Sequence, residues 1–520
     1  MIDFTPIVRP FFNRRVAASQ RWRYDIETVQ KSLLNRLLKR AASTEWGRLH
    51  DFSSISSYIS FSERVPVSPY PSVKPLIMRM IAGEKDILWP GVTRWYAQSS
   101  GTSDGRSKFI PITDDSLRIN HYAGGAEVVA HYLASNPASR LFSGKNLILG
   151  GSFASTLDSL PPGVHVGDLS ATLIRRINPL ANLVRVPDRK IALMPDWNLK
   201  LPALVEASLR ADITGISGVP SWFLTVLKKV VERAGATYIH DVWPNLEVFF
   251  HGGISFGPYR EQYRQLTAPG HTMHYVNNYN ASEGFFAVQD NPDIDAMLLL
   301  ADHGIFYEFR PAGPHSPADA RPVPAWEVAE GEIYELIITA TNGLWRYPVG
   351  DTVKIESVSP LRISVAGRTK AYINAFGEEL MVHNAEAAIE RVCRMMGCEV
   401  ADYTAGPVYA DTGHRGRHHW WVEFNVMPES VDRFARELDR ALCDVNSDYA
   451  AKRSGGIFLD PLTVSVAPHG LFNRWLSRNG GRLGGQRKIP RLSPTPQIID
   501  ELSVMAASDS CSEPPSIHTC

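Results

Sequence analysis

The run Ser99-Ser100-Gly101-Thr102-Ser103-Asp104-Gly105-Arg106-Ser107-Lys108 gathers hydroxyls, glycines and cations in one loop. Phosphate oxygens need O–H and backbone N–H donors close together with little side-chain bulk in the way. Two later segments carry complementary chemistry. Glu283 in Tyr279-Asn280-Ala281-Ser282-Glu283 can hold Mg²⁺, and Asp351 in Arg346-Tyr347-Pro348-Val349-Gly350-Asp351 can accept from both ribose hydroxyls. In that order the three segments suit one ATP, and the chemistry they suggest is activation of a carboxylic acid.

The loop is not a Walker P-loop. That motif needs GxxxxGK[ST] running into a helix, whereas Gly101 and Gly105 are not followed by Gly-Lys and Pro111 opposes a helix start. A rival motif is Gly253-Ile254-Ser255-Phe256-Gly257, formally a nucleophile elbow, which would pair Ser255 with an acid such as Asp351 and a base such as His469 in an α/β-hydrolase. His414, His418 and His419 with Asp411 have the ligand types of a metal site, but Gly413 to Arg417 reads as an exposed hairpin loop and neighbouring arginines oppose a cation. Five cysteines without a close CxxC pair argue against zinc or a disulfide framework, and Cys393 and Cys398 are expected on one helix as small buried groups.

The elements that must position these residues alternate. Tyr24 to Ala41 has a helical apolar face of Val29, Leu33, Leu34, Leu37 and Leu38. Helical stretches at Ser116 to Ala134, Leu199 to Arg210 and Ser221 to Ala234 alternate with strand-like runs at Asn146 to Leu149, Gly215 to Val219 and Val248 to His251, which predicts parallel βαβ units. From Glu332 the pattern turns to strands, and Asn342-Gly343 marks a hairpin that delivers Arg346 and Asp351. Pro348 predicts an edge position for the returning strand. Beyond Arg362 a compact α+β unit follows. A hinge is expected at Gly367 to Lys370, dividing domains at 1–366 and 367–500, and the polar stretch 501–520 is expected to be disordered.

Together with Phe250-His251-Gly252-Gly253, Gly367-Arg368 and Gly485-Gln486-Arg487-Lys488-Ile489-Pro490-Arg491, these segments resemble the auxin-responsive acyl-acid amido synthetases, a branch of the acyl-adenylate-forming superfamily. The resemblance covers about residues 95 to 492. It implies a large N-terminal α/β domain, a small mobile C-terminal domain, and a ligase that adenylates an acid and passes the acyl group to an amino acid. It further implies that Ser99, Ser100, Gly101, Thr102 and Ser103 wrap the phosphates with Lys108 nearby. Gly252 and Gly253 would let backbone approach adenine, and Tyr279 would pack at the nucleotide or acyl group. Glu283 would hold Mg²⁺ and Asp351 the ribose. Lys488 would bridge carboxylate and α-phosphate, with Arg346 and Arg368 as further candidates. An acyl-CoA or carrier-protein thioester synthetase remains the alternative within adenylation, and the Ser255 hydrolase the alternative outside it.

The balance of 54 basic and 54 acidic residues among 520 gives no global field for nucleic acid or an anionic membrane. With 44% hydrophobic residues the chain can build large cores, and no apolar run reaches the roughly 20 residues of a membrane helix. A cytoplasmic enzyme is therefore expected, and the resemblance implies that it acts on a small carboxylic acid and an amine.

Overall fold

The computed structural model describes residues 3–510 except 100–107, 154, 156, 158, 255, 313–315, 318–319, 369–371, 411–414, 455–457 and 479–488; the side chains of 180, 221, 258, 368, 383, 477 and 508–510 also lie outside the description. The chain divides into two compact units, the first running to Thr369 and the second from Lys370.

The strands of the first unit are β1 (Trp95–Ser99), β2 (Lys108–Ile112), β3 (Lys145–Ile148), β4 (His165–Gly167), β5 (Arg185–Val186), β6 (Ile213–Gly218), β7 (Val248–Gly252), β8 (His274–Ala281), β9 (Gly284–Val288), β10 (Met297–Leu299), β11 (Ile305–Pro311), β12 (Val323–Pro324), β13 (Ile333–Ala340), β14 (Tyr347–Val358) and β15 (Leu361–Arg368). Twelve of them form one sheet in the order β12-β11-β13-β14-β15-β10-β9-β8-β7-β6-β3-β5, while β2-β1-β4 is separate. Neighbours from β5 to β8 run parallel. From β8 to β12 they run antiparallel. Parallel neighbours need crossovers, and Pro220–Ala234 is one of them: Pro220 starts the helix where its missing N–H is harmless, and Gly235 at φ +64° ends it.

The antiparallel half is curled. β8 and β14 stand four places apart, about 19 Å in a flat sheet. Yet a side chain of one hydrogen-bonds a side chain of the other. Phe286, Tyr307, Leu336, Val353 and Ile363 belong to the apolar core that this curl encloses.

The second unit contains β16 (Tyr372–Ile373), β17 (Leu380–Met381), β18 (Glu399–Val408), β19 (Arg417–Val426) and β20 (Thr463–Val466). The last three form a mixed sheet, and helices Val382–Met396 and Val431–Val445 accompany it. The architecture is thus α/β with a large N-terminal domain and a smaller α+β C-terminal one.

Several expectations need correction. Helix Ile26–Ala41 is preceded by a second helix, Thr5–Tyr24, which the prolines had hidden. β14 is interior, between β13 and β15, although β15 pairs with it only from Asp351 onward, so Pro348 lies beyond that neighbour's ladder. Cys398 lies outside the helix of Cys393, because Gly397 at φ +65° terminates it. Arg417, placed at the end of the expected loop, already opens β19, and His418 and His419 follow it on that strand, His418 fully buried on Glu378 Oε1 at 2.7 Å and His419 on Thr463 Oγ1 at 2.8 Å. Asp411 and His414 are outside the described residues. Gln497–Ser510 is a helix where a disordered tail was expected, and its Ile499, Leu502 and Met505 are buried against Leu471 and Phe472.

Candidate functional site

Ala281 pairs with Gly284, so Ser282 and Glu283 form the tip of the β8–β9 hairpin. Glu283 is buried, and its backbone carbonyl accepts from Asn342 Nδ2 at 3.0 Å. Asn342 is itself fully buried in the β13–β14 turn. There Gly343 adopts φ +88°, and a Cβ would meet Leu88 Cβ at 2.8 Å, so only glycine fits. The turn read as a hairpin signal thus also holds the tip that presents Glu283.

Tyr279 and Asp351 form the second anchor. The Tyr279 hydroxyl donates to Asp351 Oδ2 at 2.6 Å, a charge-assisted bond between residues each 7% exposed. Burial alternates along β14, placing Tyr347, Val349 and Asp351 on one inner face. Lys108 opens β2 directly opposite Ser99 on β1, and its Nζ lies 5.9 Å from the centre of the Tyr347 ring. The ends that bracket loop 100–107 therefore lie beside the beginning of β14. β2 is pinned there by Phe109 N–H donating to Tyr70 Oη at 2.8 Å and Thr113 Oγ1 donating to the Thr341 carbonyl at 2.7 Å.

Gly252 ends β7 opposite Asn278, one residue before Tyr279. A Cβ at 252 would come 2.4 Å from the Asn278 carbonyl oxygen, so strand packing alone requires glycine, while Gly253 needs it for φ +84°. Arg368 ends β15 opposite Asp351. Its side chain, and all of Ser100, Gly101, Thr102, Ser103 and Lys488, lie outside the described residues.

Arg346 was a further candidate for the catalytic set. The structure turns it into the core: Nε and Nη2 donate to the Glu308 carboxylate at 2.8–3.1 Å, and Nη1 donates to the carbonyls of Ser62 and Val65 at 2.7 and 2.8 Å. Glu308 also accepts from Tyr58 at 3.1 Å. Burial pushes the Glu308 carboxyl above its ordinary range, and the guanidinium opposes that push. This is the geometry of a buried brace for the 341–346 turn.

Among the described residues no three His, Cys, Asp or Glu side chains converge on a metal position. One carboxylate, Glu283, is a fitting donor set for Mg²⁺, which takes one or two carboxylates and completes its shell with phosphates and water. The hydrolase elbow gains nothing from its surroundings. Ser255 is outside the described residues, Asp351 is engaged by Tyr279, and His469 is paired with Glu423 at 2.7 Å. His251, in the same segment, is stacked on Phe256 at 4.4 Å, and burial drives its pKa down to about 3, so it is a neutral packing group.

Asn120 supports the same β8–β9 hairpin without any signal in the sequence around it. It lies in a π-helical turn, Ser116–His121, donates to the carbonyls of Phe285 and His303 at 2.9 Å each, and accepts from Phe285 N–H at 2.7 Å. That clamps the hairpin two residues from Glu283. No local pattern marks a buried asparagine whose partners are 165 or more positions away.

Comparison with known proteins identifies similarity along most of the chain. Residues 20–271 match the GH3 family N-terminal domain, 298–368 the GH3 family central domain and 383–497 the GH3 family C-terminal domain. An indole-3-acetic acid-amido synthetase, GH3.4 of Arabidopsis thaliana, is 22% identical, with 92% of each chain covered. A jasmonoyl–L-amino acid synthetase, JAR6 of Nicotiana attenuata, is 23% identical over 90% of this chain and 91% of its own. Among solved structures, AtGH3.15 acyl acid amido synthetase in complex with 2,4-DB superposes with a TM-score of 0.60 at 18% identity, covering 94% of this chain and 95% of the other.

Proposed function

Because the chain belongs to the GH3 family of acyl-adenylate-forming enzymes, we propose that it is an ATP-dependent acyl-acid amido synthetase that joins a small carboxylic acid to the amine of an amino acid. The observation that carries this reading is the Tyr279–Asp351 hydrogen bond beside the Glu283 tip and the Lys108 end of the phosphate loop. The indole-3-acetic acid and jasmonoyl specificities in the relatives' names support an organic acid as one substrate, and the amino acid in the second name supports the other.

The acid's carboxylate attacks the α-phosphorus of ATP, and the bond to pyrophosphate breaks. The amine then attacks the acyl carbon, loses a proton, and AMP departs. A carboxylate is a poor electrophile, whereas a mixed anhydride carries AMP as a leaving group; enclosing it keeps water from competing. Asp351, oriented by Tyr279, accepts from the ribose hydroxyls. Ser99, Ser100, Gly101, Thr102, Ser103 and Lys108 hold the phosphates, and Gly252 and Gly253 border the adenine. Glu283 would hold Mg²⁺, which when bound neutralises phosphate charge. Lys488 meets the two anions during adenylation, and rotation of the residue 367–500 domain about Arg368 removes it before the amine enters. Arg346 has a bracing role. No helix among the described residues is long and apolar enough to cross a membrane, and we place the reaction in the cytoplasm, where ATP and free amino acids meet.

Two measurements test the reading. Pyrophosphate release from Mg·ATP should require an added carboxylic acid, screened across a panel of acids, and mass analysis should find N-acyl amino acid rather than a coenzyme A thioester; ADP as product or a dominant thioester rejects it. Asp351→Ala should weaken ATP binding about tenfold, the loss of about 1.5 kcal/mol expected for a hydrogen bond to a charged group. Wild-type affinity by calorimetry would remove Asp351 from the nucleotide site.

A further inference from the structure

A cavity of about 200 Å³ lies at the base of the β8–β9 hairpin, the end away from Glu283, with His131, Asn136, Arg260, His274, Tyr275 and Asp290 among its lining residues. We propose that this cavity is an effector site for a small organic carboxylate, whose occupancy is felt at the Glu283 tip of the same hairpin.

The donors in its wall favour an anion. Arg260 is more than half exposed, rests on the Phe256 ring at 5.2 Å, and comes no closer to Asp295 than 3.9 Å. His274 sets its ring edge-on to Tyr132 at 5.7 Å. His131 is 3% exposed and makes no hydrogen bond to any described residue; its buried Nε2 is 3.8 Å from Glu127 Oε2. A buried imidazole nitrogen without a hydrogen bond is costly, and the Glu127 carboxylate at 3.8 Å offsets that cost only in part. Burial holds its pKa below the ordinary value, so the ring is neutral at pH 7 and available as donor or acceptor. Asp290 is closed to a cationic ligand: its carboxylate is 1% exposed and already engaged by Arg23 and Arg362. The volume is below the roughly 300 Å³ at which drug-sized sites begin, so the ligand is small, and the Tyr132 and Tyr275 rings in the lining suit a flat one.

Two continuous elements link the cavity to the tip. β8 runs from His274 to Ala281, about 24 Å of strand, with the cavity at its start and Tyr279 near its end. The helical segment beginning at Ser116 carries His131 toward its end and Asn120, the clamp on Phe285, at its beginning. The proposed coupling runs along these two walls to the backbone that presents Glu283. Only the meaning of that coupling for ATP rests on the proposed function; the site and the coupling do not.

The test is hydrogen–deuterium exchange of the full chain with and without benzoate, in wild type, Asp351→Ala and Arg260→Ala. Benzoate is expected to slow exchange in segments 129–137 and 272–277 at least threefold and to change exchange across 279–285, in wild type and Asp351→Ala alike. Arg260→Ala should lose both effects. Protection absent from the cavity segments, protection that survives Arg260→Ala, or an unchanged hairpin tip would each overturn the proposal. None of these readouts requires turnover, so a failure of the amido synthetase reading appears separately, as an absence of acid-dependent pyrophosphate release.

Discussion

Lys488→Ala should cut acyl-adenylate formation about 10²-fold or more while sparing the reaction of supplied acyl adenylate with the amine. Adenylation brings a carboxylate against a triphosphate, so two anions approach before any bond forms. A positioned ammonium there acts on charge that is concentrated in the transition state, and removing one such group typically costs 10²- to 10³-fold. In the second half-reaction the attacking amine is neutral and pyrophosphate has left, so the demand for that cation is gone. Single-turnover measurements of each half-reaction separate the two. Equal loss in both would mean that Lys488 binds both states or supports the fold, and domain rotation about Arg368 would lose its main residue.

What was legible in the sequence was local and periodic. The alternation of apolar runs with helical faces between 116 and 251 announced the parallel half of the sheet, and β3, β6 and β7 lie within a residue or two of the expected spans. The segments proposed to hold the nucleotide stood out because phosphate and ribose recognition needs particular residue types close together in sequence. Packing-dependent features were not. Thr5–Tyr24 is helical although Pro10 lies inside it, since tertiary contacts such as Arg9 Nη1 to the Leu133 carbonyl at 2.7 Å outweigh propensity. In the tail, Ile499, Leu502 and Met505 repeat every three residues, but the serines and aspartates around them masked the period. The curl that brings Tyr279 to Asp351 depends on strand order, which no sequence window contains. Arg346 is the sharpest case. A motif arginine near the aspartate proposed to hold ribose reads as catalytic, and only the structure shows Glu308, 38 positions upstream, waiting for it.

Arg346→Ala should destabilise the first unit by about 3–5 kcal/mol, because it strands the Glu308 carboxylate in the core without its paired guanidinium. The sign of the pH dependence follows from Glu308. Its folded pKa is already raised by burial and rises further without the guanidinium, so the folded variant holds a proton that the unfolded chain releases as pH increases. The deficit should therefore be larger at pH 8 than at pH 5 in denaturant melts. Arg346→Met combined with Glu308→Leu removes both charges in similar volume and should recover most of the stability, since a buried ion pair is often replaceable by apolar packing. The double variant also separates brace from catalyst. If Arg346 only holds the 341–346 turn against the core, restored folding restores acid-dependent pyrophosphate release to within about tenfold of wild type. A double variant that folds as well as wild type, keeps its ATP affinity and yet forms no acyl adenylate would place the guanidinium back at the reacting phosphate.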